Sequence, residues 1–430
     1  MVRSATCDVV IVGAGLAGAV AARELSHRGL DVVAIEGREY AGGRVLTEKR
    51  WGRDLELGGQ AISALQPYVW AEATRYGLPL IDRPKVDVTY VSHGSTIDVM
   101  SPEDFGALAQ QVTGRLVSPA VTVFPRPYEP LSSPTAIEMD GLDLGTVVKN
   151  LGLDPREEAV LDGLLTVNFN TPYHVGAYTQ SLRRAALVFG HTDLLTEVVR
   201  WRIAGGFHRL VDAILTDARC RVEFGEAVTA VESTDDGVVA HASGLSVTAR
   251  AAIVTVPLNV MSTIQFDPPL APGVAKVAHE GQLTRGIMGW VRLRGISESF
   301  SAIAPHDRRL TFIRADGTTD GDIIAQCFGP DSTRLDMNDV PSVASAVAEL
   351  VPGAEVVDSV GHDWGADPFA RGGWAMLAPG QLTDLHGGSP RTGDRVRVAG
   401  SDVARGWAGY FDGAVESAIE VARDVRLLLG

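Results

Sequence analysis

The chain has 430 residues, three cysteines, and 38 basic against 53 acidic side chains, for a net charge of −15. Such a length favours two domains over one core, and the acidic balance disfavours nucleic acid or an anionic membrane surface as partner. No apolar run is long enough to span a membrane, and Cys7, Cys220 and Cys327 are too scattered for a metal site or a disulfide framework. A cytoplasmic protein without metal is therefore the expectation.

The first element is a short apolar run, Cys7 to Val12, suited to a buried parallel strand. It ends in Gly13-Ala14-Gly15-Leu16-Ala17-Gly18, after which small and apolar residues recur at helical spacing through Leu25 until Gly29 stops the helix. A second apolar run, Asp31 to Ile35, ends in Glu36, 18 residues after the last glycine of the fingerprint. Strand, glycine turn, helix, strand and acid in this register predict a dinucleotide site. Gly13 makes the turn, Gly15 admits a pyrophosphate, Gly18 lets helix and strand pack, and Glu36 accepts a hydrogen bond from a ribose hydroxyl. Residues 9 to 22 could imitate the apolar core of a secretory leader, but the fingerprint glycines and a lone upstream Arg3 argue against that.

The residues after Glu36 separate NAD from FAD. Arg38 and the turn Ala41-Gly42-Gly43-Arg44 place glycines and two guanidinium groups where a longer dinucleotide could be wrapped a second time. A further glycine turn, Gly58-Gly59-Gln60, comes soon after. Both features suit FAD. Farther along, residues 117–135 are rich in Pro and Ser and read as a loop bordering an access channel. Residues 166–186 gather Asn168, Asn170, Tyr173, His174 and Tyr178, either as substrate-site lining or as an ordinary helix–loop–helix join.

These motifs resemble the flavin-dependent amine oxidases, the group of monoamine, polyamine and bacterial nicotine-type amine oxidases. The resemblance runs through "GAGLAG", "EGREYAGGR", "ELGGQAIS", "IAGGFHRLVDAI", "IVTVPLNVMSTIQFDPPL", "DWGADPFARGGWAMLAPG" and, most specifically, "VAGSDVARGWAGYFDGAVESA". It implies an α/β fold (α+β overall), in which a Rossmann-like FAD-binding domain interleaves with a mixed-sheet-plus-helices substrate domain. The first would take residues 1–65, 203–265 and 390–430, and the second 66–202 and 266–389. Glu36 and Arg38 would hold the adenosine ribose and its surroundings. Gly43, Arg44 and Gly58-Gly59-Gln60 would line diphosphate and flavin, and Val228 would meet the adenine through its backbone. Gly400 and Asp402, the latter where the family usually has Glu, would lie by the ribityl chain. Gly409, Tyr410 and Phe411 would open a helix whose N-terminus faces the flavin pyrimidine. Trp374 and Tyr410 would form two aromatic walls beside the flavin, with Trp364 ten residues before Trp374.

The chain departs from the family at two places. No cysteine lies near the C-terminal motif, so the FAD is expected to be noncovalent. The lysine that many members place near flavin N5 aligns with Arg285, which keeps the charge but cannot act as a base; the alternative is that Arg285 marks a strand start at the surface. The resemblance implies an oxidase that abstracts hydride from the carbon α to an amine nitrogen, giving an imine and, with oxygen as acceptor, hydrogen peroxide. An L-amino-acid oxidase, an enzyme oxidising or cyclising a specialised metabolite, and a non-catalytic flavin-binding protein stay open, as does a homodimer.

Overall fold

The computed structural model describes residues 2–388 and 391–430; the expected domain boundary at 390 lies outside them. The fold is built on two sheets. The first has nine strands, and its central strand is Arg3–Val12, which pairs in parallel with Val32–Ile35 on one side and Leu245–Val254 on the other. Val9 and Ile11 enter one apolar cluster, and Val10 and Val12 enter another. Burial on both faces explains why this segment reads as an unbroken apolar run. One face is covered by the fingerprint helix Leu16–Ser26, packed against His208–Ala218 and the C-terminal helix Phe411–Leu429.

Gly18 makes that packing possible. A Cβ on it would fall 2.0 Å from the carbonyl oxygen of Gly13, so no larger side chain fits between helix and turn.

The second sheet has seven strands in the order Glu355–His362, Ile287–Arg294, Asp322–Gly329, Phe312–Thr319, Phe300–Ile303, Val88–His93, Thr96–Met100. It is antiparallel except where Phe300–Ile303 runs parallel to Val88–His93. Alternation divides its residues cleanly. Ile287, Ile313, Ala325 and Cys327 pack into a core beneath the helix Val340–Ala348. Met288, Phe312, Arg314 and Phe328 point the other way, into a cavity, and Gln326 lies on the same face of the sheet.

Residues 117–135 differ from expectation. They contain the short helix Ala120–Val123, bury Val123 and Phe124 in the core, and contribute nothing to the cavity wall. The facing element is the preceding helix, Pro102–Val117, through Phe105, Ala109 and Thr113. Pro and Ser here punctuate short helices rather than mark a channel. No helix among the described residues is long and apolar enough to cross a membrane.

Glu56 ties the glycine turn to this scaffold. Its buried carboxylate accepts from the Phe207 N–H at 2.6 Å and from Thr47 Oγ1 at 2.9 Å. Burial dominates and pushes its pKa up to about 7. The folded protein therefore holds a proton here that the unfolded chain releases near its ordinary value. Stability from this group is full below about pH 4.5 and is lost as pH rises through 7, a difference of about 3 kcal/mol. Thermal melts of the wild type and Glu56→Gln should show the variant gaining relative stability from pH 5.5 to 8; a constant difference would show that Glu56 does not titrate in this window.

Candidate active site

A cavity of about 1130 Å³ runs from the carboxyl ends of the first sheet's strands, at Val12 and Ile35, to the face of the second sheet that carries Met288, Phe312 and Phe328. It exceeds the roughly 300–1,000 Å³ of an ordinary small-molecule pocket. It also lies where open parallel sheets bind their ligands.

At one end, Glu36 is buried, and its two oxygens accept from the backbone N–H groups of Ala14 (2.8 Å) and Arg38 (2.9 Å). The acid thus fixes the fingerprint turn as well as facing the cavity. Gly13, Gly15, Gly43 and Val228 line the same region. The first N–H groups of the helix after Gly15 have no partner within the helix and point where an anion would be stabilised. Arg38 donates to Asp367 at 2.6 Å, and Asp367 also contacts His362 at 2.9 Å. Although burial opposes it, His362 and Arg38 hold the Asp367 carboxyl well below the usual range. The Arg38 guanidinium lies over the ring of Phe369, which lines the cavity.

In the middle, Arg44 gathers three segments. It donates to Gly373 O (2.6 Å), Ser401 Oγ (3.0 Å) and Asp402 Oδ1 (2.6 Å), while Asp402 Oδ2 accepts from the Leu258 N–H (3.1 Å). Gly400 and Asp402 both line the cavity.

At the far end, the C-terminal helix starts at Phe411 with Tyr410 as its cap, so its positive pole faces the cavity. Trp374 is held by an Nε1–H hydrogen bond to Asn168 O (2.9 Å) and meets Phe328 edge to face, with centroids 6.4 Å apart. Tyr410 meets Trp407 likewise at 5.4 Å. Trp364 donates to Leu57 O, fixing the strand that leads into Gly58-Gly59-Gln60.

The family profile described as flavin containing amine oxidoreductase matches residues 16–293 and 336–426. The chain belongs to the flavin containing amine oxidoreductases. It is 33% identical to the nicotine dehydrogenase of Pseudomonas putida over 429 residues, covering 98% of this chain and 89% of that one. It is 27% identical to the (S)-6-hydroxynicotine oxidase of Paenarthrobacter nicotinovorans, covering 96% and 97%. Its fold matches putrescine oxidase bound to putrescine with a TM-score of 0.84 at 22% identity, covering 99% and 100%.

FAD is the cofactor of this flavoprotein, and the residues present fit it. The cavity is lined both by the fingerprint turn at a helix N-terminus and by the aromatic side chains Trp374 and Tyr410. Buried Gln60 Oε1, beside the second glycine turn, has no hydrogen-bond partner and faces a cavity that can supply a donor.

Five of the expected residues lie elsewhere. Tyr178 is buried in the core and donates to Leu116 O at 2.6 Å, so it does not line the cavity. Tyr173 and His174 are also absent from the wall, whereas Asn168 and Asn170 reach it. Arg285 is exposed and its guanidinium does not enter the cavity; its backbone N–H donates to Asn170 O and its carbonyl accepts from the Ser332 N–H. The inward residue of that segment is Met288, one place into the strand, whose Sδ accepts from Gln326 Nε2 at 3.4 Å. Gly18 acts through packing and does not touch the cavity. Beyond the expected set, Phe312, Arg314 and Phe328 also face inward. Their alternation with Ile313, Ala315 and Cys327 is the signal that could have found them.

The turn at Gly59 has no room to spare. A Cβ there would fall 2.2 Å from the Phe411 ring, and that ring is stacked on Phe207 with centroids 3.7 Å apart. Gly59→Ala should cost about 1–3 kcal/mol and reduce bound flavin below a tenth of the wild-type content, measured by melting and by visible absorbance per polypeptide. Full flavin content would show that the turn can shift freely.

Proposed function

We propose that this flavoprotein oxidises an uncharged secondary or cyclic amine at the carbon α to nitrogen, releasing an imine and passing electrons to oxygen as hydrogen peroxide. The observation carrying this reading is the aromatic chamber of Trp374, Tyr410, Phe312 and Phe328 at the end of the cavity where the second glycine turn lies. Bound FAD would supply the hydride acceptor. The chain's own residues would position and desolvate the amine. Trp374 is locked by its bond to Asn168, and Phe328 fixes its tilt, so one wall is rigid before substrate arrives. Apolar walls favour the neutral amine over its ammonium form.

Proton-transfer groups are not prominent in the wall. Among the described residues no histidine lines the cavity. Each of its five acids is already engaged: Glu36 by backbone N–H groups, Asp402 by Arg44, Asp82 and Glu197 by Arg200, and Glu226 by Arg3. Positioning and exclusion of water, rather than acid–base chemistry, are what these residues can offer. The names of the relatives, nicotine dehydrogenase and (S)-6-hydroxynicotine oxidase, support a cyclic amine as substrate class.

The sheet carrying the fingerprint would serve as the FAD-binding domain and the seven-stranded sheet with its helices as the substrate domain. The cysteines stand apart from the cavity wall, which supports noncovalent FAD; Cys327 points to the opposite side of its sheet. Three free thiols suit a reducing compartment, and we place the reaction in the cytoplasm.

Anaerobic mixing with a panel of secondary and cyclic amines should bleach the flavin, and Trp374→Ala should slow bleaching on the order of 10- to 100-fold while retaining the cofactor. No bleaching by any amine would refute the reading. Admission of air should restore the yellow colour with stoichiometric peroxide; slow recovery would point to another acceptor. Acid precipitation should leave the polypeptide colourless and the supernatant yellow, and colour retained on the protein would disprove noncovalent binding.

A further inference from the structure

The substrate end of the cavity carries a charge that the amine chemistry does not use. Arg83 and Arg314 both line it, and neither pairs with a carboxylate among the described residues. Asp316, the buried carboxylate of the cluster, is already bonded by Arg53 (3.0 Å) and Arg202 (2.7 Å), and Asp82, whose charge also reaches Arg314, is bonded by Arg200 (2.8 Å). Four guanidinium groups thus surround one buried acid.

The two cavity arginines are held in place by neutral oxygens. Arg314 donates to Pro84 O at 2.6 Å, next to Arg83 in the chain. Arg83 donates to Gln326 Oε1 at 2.7 Å, and the same oxygen accepts from Gln60 Nε2 at 2.8 Å. Arg314 stands opposite Gln326 in the strand register, so both lie on one face. The Nε of Arg83 is buried without a partner. Burial, then the charges of Arg314 and Arg202, push the Arg83 pKa down to about 10, which leaves it cationic at neutral pH. Two desolvated like charges, braced by carbonyls and an amide, are costly unless an anion completes them.

We propose that Arg83 and Arg314 form a carboxylate subsite, and that the preferred substrate is an amine bearing a carboxylate remote from the carbon that is oxidised. The proposal rests on the amine-oxidising function and names its substrate class. Planar guanidinium groups match a carboxylate in two-point geometry. The spacing sets where the acid sits. Phe328, in contact with Trp374, pairs across the sheet with Phe312, and Arg314 lies two residues beyond Phe312. At a rise of roughly 3.3 Å per residue, the acid would bind about 7 Å along the sheet from the aromatic wall. That separation suits a chain of several bonds and does not suit an α-amino acid. A site built for an anion also disfavours an analogue lacking it, because its own charges then stay unpaired.

The test compares 4-(methylamino)butanoate with N-methylbutylamine in anaerobic flavin reduction by the FAD-loaded full chain. The carboxylated amine should show a Kd at least tenfold lower. Arg314→Gln and Arg83→Gln, each checked for retained flavin, should each lower that preference at least tenfold. Equal or better use of N-methylbutylamine by the wild type, or an unchanged preference in both variants, would overturn the subsite. Titration with sodium benzoate, read as a shift of the flavin spectrum, is independent of turnover. Saturable binding weakened at least tenfold by Arg314→Gln supports the subsite even if neither amine reduces the flavin, an outcome that would count against the amine-oxidising reading alone. Absence of benzoate binding to the wild type would count against the subsite itself.

Discussion

A single guanidinium group holds the cavity together. Arg44 leaves the glycine loop of the N-terminal unit and reaches the backbone of Gly373, beside the aromatic wall, and the turn Ser401-Asp402, near the end of the chain. These segments share no strand or helix, so no ladder of backbone hydrogen bonds fixes their separation. A charge-assisted fork does so instead, with defined direction as well as strength. Asp402 is almost fully buried, and its second oxygen is occupied by the Leu258 N–H, so the pair is satisfied on both sides. Removing Arg44 would strand a carboxylate that water cannot reach, which is why this pair commits the chain to one arrangement.

That constraint also accounts for the distribution of side chains around it. Gly373 precedes Trp374, and Asp402 lies eight residues before Tyr410. Placing the first member of each pair places the aromatic beyond it. The second sheet then closes the chamber from the opposite side, and its alternation sends Met288, Phe312 and Phe328 inward while Ile287, Ala325 and Cys327 pack into the core. The chemistry is therefore assembled from two kinds of precision. Loops are tied by an ion pair, and a flat surface is set by strand register.

Legibility in the sequence divides along the same line. The fingerprint turn, Glu36, the second glycine turn and the start of the C-terminal helix are local motifs whose function depends on spacing within a few residues, and the structure gathers them on one cavity. Arg285 illustrates what spacing cannot convey. It lies in an irregular link before a strand, and a shift of three positions reverses the face on which a residue falls. Met288 takes the inward position. Tyr178 looked suited to a polar pocket because tyrosine carries a hydroxyl. The structure satisfies that hydroxyl with Leu116 O, a contact 62 residues away in sequence that no local pattern encodes. Arg83 and Arg314 were obscured for a related reason: their meaning depends on which carboxylates lie near them, and Asp316 is shared by other arginines.

Charge placement finally bears on which form of an amine can enter. The molecule is acidic as a whole, with a net charge of −15, yet the substrate end of its cavity presents unpaired guanidinium groups. An acidic surface favours the approach of cations, whereas the arginines disfavour an ammonium group close to them. The two fields select together. A simple ammonium ion would be attracted to the protein and then opposed inside it. A zwitterion would carry its own compensation: under the proposed reading its carboxylate would meet the arginines while its nitrogen, set against Trp374 and Tyr410, would shed its proton in an apolar setting that does not stabilise the charged form. Loss of a proton from nitrogen is also what readies the adjacent C–H bond to give up hydride. The cost of burying the arginines would then be offset by the same molecule whose oxidation we propose.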